Sequence, residues 1–154
     1  MFKLTAVILV PAMATLASDL PSKKYLNQAA VKTMVAASEA KAKEMNVGVT
    51  ICIVDEGGNL LFLEKGDGAS LNTLQFAQKK ARDAAAYGSP SRDAADAVKK
   101  GNVQNLAFPD FFPNQGGLPI RVDGQLLGGI AASGAKSEVD EQIAQAGLDA
   151  LLKQ

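Results

Sequence analysis

The chain holds 154 residues, 47% apolar and 21% charged, the size and mixture of one globular domain. Its sixteen basic and sixteen acidic side chains cancel, whereas a general nucleic-acid or anionic-membrane binder is normally basic. With no histidine and a single cysteine, Cys52, it excludes Ser-His-Asp and Cys-His catalysis, histidine-held zinc or haem, an intramolecular disulfide and any CxxC metal site.

Met1-Phe2-Lys3 precedes a fourteen-residue, largely apolar stretch ending at Ala17, with Ser18-Asp19 after it. A short positive start, an apolar middle and small residues before a polar break describe a secretory signal peptide. The stretch is shorter than the roughly 20 residues a transmembrane helix needs. Thr15 and Ala17 suit a cut before Ser18, and Ala12 and Ala14 an earlier one. The alternative is a buried strand broken at Pro11. The expectation is a signal over residues 1–17, a single domain over 18–154, and a periplasmic or secreted protein with no membrane span.

From Ser22 to about Asn46 the pattern predicts a helix, with Leu26, Ala30, Met34, Ala37 and Met45 on one side. Val47 to Val54 reads as a buried strand. Asp55-Glu56-Gly57-Gly58 turns it into Asn59–Leu63, a hairpin. Thr73 to Tyr87 is an alanine-rich helix stopped by Gly88, and Pro90-Ser91 opens a shorter one to Lys100. Residues Gly101 to Gly117 show no period but carry Phe108, Phe111 and Phe112, so this loop should lie against the core or a ligand. Leu118–Val122 and Gln125–Ala132 flank Asp123-Gly124, a strong hairpin signal. Ser137 with Asp140 resembles a capping box for a last helix, whose buried face is Val139, Ile143, Ala146, Ala150 and Leu151. The predicted fold is α+β: a central antiparallel sheet flanked by helices, in the order helix–hairpin–helix–helix–loop–hairpin–helix.

Few residues here carry obvious chemistry. The Gly57-Gly58 turn lacks phosphate-loop spacing and leads into a strand. Asp93 with Asp96, and Asp140 with Glu141, lie in first turns of helices, where acids favour the dipole. Cys52 between Ile51 and Ile53 reads as an inert core thiol. Lys80 stands among Phe76, Ala77, Ala81 and Ala84. It either snorkels from an apolar boundary or faces a ligand. Gly116, Gly117 and Ser133-Gly134 mark places where only small groups or bare backbone approach.

Taken together, these residues resemble the GlcG/HbpS-like family of haem-binding or haem-degrading domains, and the C-terminal domain of PduO-type corrinoid adenosyltransferases. The matching segments are Val54-Asp55-x-Gly57-Gly58-x-Leu60, Asp67-Gly68-Ala69, and Ala77-x-x-Lys80-Ala81 with Ala84. Further on come Gly116-Gly117-Leu118-Pro119-Ile120 with Asp123-Gly124, then Gly128 to Gly134, then Asp140-Glu141 with Ala144-x-Ala146-Gly147-Leu148. The resemblance implies an α/β domain with a central antiparallel sheet, a homo-oligomer, and a haem or tetrapyrrole ligand. Three departures stand out. Asp83 replaces a frequent threonine, Ala131 and Ala132 replace glycine and valine, and the early-helix histidine that ligates iron in some members has no counterpart. Haem would then be held weakly, without histidine, leaving Met34, Met45, Tyr25, Tyr87, a lysine or a threonine to reach the iron.

The resulting expectation is an exported small-molecule binder whose ligand is planar and partly anionic. Lys80 would supply charge, Phe111 and Phe112 an apolar wall, and Gly116, Gly117 and Ser133 close contacts. One alternative is an enzyme of small-molecule catabolism, moving a proton or hydrolysing a carbonyl compound with Lys80 and Asp83 as its acid–base pair. Another is a structural oligomeric partner without a ligand. No metal site is expected.

Overall fold

A computed structural model describes residues 21–153; the stretch read as an export signal lies outside the described residues. The elements are α1 (Gln28–Glu44), β1 (Thr50–Asp55), β2 (Leu60–Lys65), α2 (Thr73–Tyr87) and α3 (Ser91–Lys99). After them come a 3-10 turn (Val103–Ala107), β3 (Gly117–Val122), β4 (Gln125–Ser133) and α4 (Ser137–Leu152). The four strands form one antiparallel sheet in the order β2-β1-β4-β3. This is the predicted α+β class and element order.

Strand alternation divides the core in two. Ile53 and Ile130 join Met34, Val35 and Ala144 beneath α1 and α4. Cys52, Val54 and Ala131 point the other way, onto Ala77, Ala81 and Ala85 of α2. The α2 side is built for close approach. A Cβ on Gly129 would lie 2.1 Å from the Ala81 carbonyl, and one on Gly117 2.2 Å from the Lys80 carbonyl. Alanines above and glycines below therefore let the helix backbone rest on the sheet.

Three local details depart from the sequence reading. α1 begins at Gln28, not Ser22, because Asn27 caps it by accepting from the Ala30 N–H at 2.8 Å. Lys23 and Lys24 instead reach Glu56 and Asp123, and Leu26 enters the core from outside the helix. β1 begins at Thr50, not Val47, and β4 continues to Ser133. The third detail is at α4. Its N-cap is Lys136, not Ser137, and makes no side-chain capping bond; the Asp140 carboxylate reaches back past the cap to the Ala135 N–H with one oxygen and turns the other inward to Lys80.

The long loop is anchored at Ser91, which donates to the Asn114 carbonyl at 2.8 Å and accepts from the Gly117 N–H at 2.9 Å. Of its phenylalanines, Phe112 packs on Phe76 and Phe111 on Tyr87, while Phe108 is exposed. No helix among the described residues is long and apolar enough to cross a membrane.

Candidate functional site

The helix that rests on Gly117 and Gly129 carries a lysine in its buried stripe. Lys80 is 1% exposed, a position that a charged side chain occupies only when paired. Its Nζ donates to Asp140 Oδ2 at 2.8 Å and to the Ala132 carbonyl at 3.2 Å. Asp140 is equally buried, and its Oδ1 accepts from the Ala135 N–H at 2.9 Å. The pair joins α2 to the first turn of α4 across the end of β4.

A cleft of about 280 Å³ opens over this pair. Ser133, Ser137, Asn72, Thr73 and Phe76 contribute to its walls. Gly116 stands beside the ammonium with φ +126°, and a Cβ there would lie 2.8 Å from Lys80 Nζ. The missing side chain leaves the ammonium its room. Phe112 packs on Phe76 with tilted rings and centroids 5.8 Å apart, so it reaches this cleft through its neighbour. Lys80, Gly116 and Ser133 are thus brought together, and Gly117 lies beneath the Lys80 backbone.

Asp83 and Phe111 belong elsewhere. Asp83 Oδ1 accepts from the Phe112 N–H at 2.8 Å. With Tyr87, Ser89 and Phe111 it lines a separate cleft of about 170 Å³. Burial pushes its carboxyl up to about 6, against the lowering effect of the Phe112 N–H, and Asp110 and Asp93 add to the rise. Lys80 and Asp83 therefore answer to different partners, and the carboxylate beside Lys80 is Asp140. Cys52 is fully buried, its thiol pushed up to about 12 by burial, which fits an inert core thiol.

A third concavity, about 340 Å³, lies where the chain enters α1. Leu26, Ala30, Val122, Leu127 and Leu151 give it apolar walls, with Lys23, Lys24 and Tyr25 at its edge. The segment is tied to the β3–β4 hairpin by Gln125, which donates to the Lys24 carbonyl at 3.0 Å and accepts from the Lys24 N–H at 3.3 Å. Tyr25 is 75% exposed. Of the side chains left to reach an iron, Met34 is fully buried, Met45 packs against the core and the Tyr87 hydroxyl donates to the Pro109 carbonyl at 2.6 Å. Among the described residues, Tyr25 is the named candidate that stands exposed beside an apolar groove.

Sequence reasoning missed Asp140 as a site residue. Its place in a first turn explained the acid well enough, and Lys80 in an alanine stripe was the stronger clue. A buried cation demands a buried anion, yet the partner lies sixty residues away.

Comparison with known proteins decides the family. The family model described as haem degrading protein HbpS-like matches residues 26–149. This chain belongs to the HbpS-like family. It is similar to protein GlcG of Escherichia coli K12, with 31% identity over 112 residues, covering 73% of this chain and 84% of GlcG. Among solved structures it resembles the Klebsiella pneumoniae protein ORFY (29% identity, TM-score 0.81, 91% of this chain and 99% of that one). It also resembles the PduOC:Heme complex, with 27% identity and a TM-score of 0.76 over 82% of this chain and 95% of that one. The GlcG and PduO resemblances of the HbpS-like sequence reading are thus both found.

Proposed function

We propose that this HbpS-like protein is an exported binder of haem, or of a tetrapyrrole like it, and that the ligand sits at the groove where the chain enters α1. The observation that carries the reading is the exposed Tyr25 phenol beside an apolar groove lined also by two lysines. Tyrosine is an established type of axial haem ligand. Lysine ammoniums suit carboxylates such as propionates. Lys23 and Lys24 hold Glu56 and Asp123 in exposed pairs, and such pairs are weak enough to exchange partners. Family membership and the likeness to a haem complex support the same ligand class.

The Lys80 cleft suits this ligand less well. Its ammonium is already neutralised by Asp140, and about 280 Å³ falls just below the roughly 300–1,000 Å³ of ordinary drug-sized pockets.

Titration with haemin, followed at the Soret band, tests the proposal. Saturable binding is expected, with the iron's charge-transfer bands altered in Tyr25→Phe. Affinity should fall about threefold to tenfold when Lys23 and Lys24 are both changed to glutamate, the scale of one or two ionic hydrogen bonds at a partly exposed site. Failure to saturate, or a spectrum and affinity untouched by all three substitutions, would overturn it.

A further inference from the structure

We infer that the cleft over Lys80 and Asp140 is a second binding site, and that its ligand is a small neutral compound bearing hydroxyl or carbonyl oxygens. The inference goes beyond the haem reading and stands whether or not haem binds.

Charge comes first. Lys80 and Asp140 are the charged residues of the cleft wall, and they cancel. An anion entering would surrender its hydration for no net attraction, while a neutral ligand surrenders far less.

Unused hydrogen-bonding capacity comes next. An ammonium has three N–H donors, and Lys80 spends two of them on Asp140 and the Ala132 carbonyl. Among the described residues the third has no acceptor, and it remains for an oxygen of the ligand. Ser133 is 3% exposed, lines the cleft, and its hydroxyl has no protein partner among the described residues. Asn72, at the N-cap of α2, has helical backbone angles (φ −68°, ψ −17°) and makes no capping bond. It is exposed and contributes to the cleft wall. A buried lysine donor, a buried hydroxyl and an exposed amide around one space match a ligand that offers both acceptors and donors.

Size completes the assignment. At about 30 Å³ per molecule, a cleft of about 280 Å³ corresponds to about nine waters. A polyol or hydroxycarbonyl compound of about three to six carbons fills such a volume and can replace the hydrogen bonds of the waters it displaces.

The experiment is a titration of the ¹⁵N-labelled protein, followed by NMR, with glycerol, erythritol and dihydroxyacetone, and with lactate as the anionic comparison. Saturable shifts are expected at the amides of Lys80, Ser133, Ala135 and Ser137 for at least one neutral probe, with lactate binding at least tenfold more weakly. Ser133→Ala should weaken that probe between about twofold and tenfold, the scale of one neutral hydrogen bond. Asn72→Ala, at an exposed position that tolerates truncation, should weaken it by a similar factor. The inference is overturned if no neutral probe saturates, if lactate binds as tightly, or if both variants keep the affinity of the parent.

Discussion

Lys80 and Asp140 are separated by sixty residues of chain and meet at 2.8 Å in the interior. One lies in the alanine face of α2 and the other in the first turn of α4. Among the described residues neither charge has another of opposite sign in contact, so each depends on its partner.

Stability should reveal that dependence. Removing one partner of a buried pair leaves an uncompensated charge and costs about 3–5 kcal/mol. Lys80→Met and Asp140→Leu should each lose that much in urea denaturation. The double variant should recover most of it, since replacing both charges with apolar groups is often neutral or better. A double variant as unstable as the sum of the singles would refute the account.

Asp83 supplies a pH dependence of defined sign. Its folded value, about 6, lies above the ordinary 3.8, so the folded state keeps a proton that the unfolded chain has released. Stability from this group is therefore fully present below about pH 4 and is lost as pH rises to about 6. The loss amounts to about 2–3 kcal/mol at roughly 1.4 kcal/mol per unit. Asp83→Asn should remove it. Unfolding free energies near pH 5 and pH 7.5 should show the variant gaining on the parent at the higher pH; a constant difference would count against this.

Met34 lies fully buried between α1 and the sheet, so it should not reach an iron. Met34→Leu, a swap that usually costs under about 1.5 kcal/mol, should leave the haemin spectrum unchanged. A low-spin spectrum lost in this variant would show an iron bond at Met34 and contradict the assignment to Tyr25.

Export is expected to remove the apolar start. Intact mass of the protein recovered from periplasm or medium should correspond to a chain lacking residues 1–17, or cut within a few residues of that point. A full-length chain confined to the cytoplasm would speak against the proposal.

Self-association is expected as well. β2 is an edge strand with Leu60 and Leu61 exposed at 51% and 40%, and open apolar edges are normally covered. Light scattering at micromolar concentration should return a multiple of the monomer mass. A monomer would rule this out.

Most of the fold was legible in the residues, because its signals are local. The Asp123-Gly124 turn adopts positive φ at both positions, 49° and 79°, as a tight hairpin requires, and Gly88 ends α2 in the left-handed region. Six short motifs in order were enough to indicate the family. The site was legible only in fragments. Lys80, Gly116 and Ser133 were singled out, but what surrounds them comes from strands and helices far apart in the chain. Periodicity reports which side of a helix is buried; it carries no information about which buried side chain on another element lies opposite. Only the stacking of α2 and α4 against the end of β4 decided that Lys80 faces Asp140 instead of Asp83, and that the lysine presents a neutral pair with one spare donor where a free charge was expected.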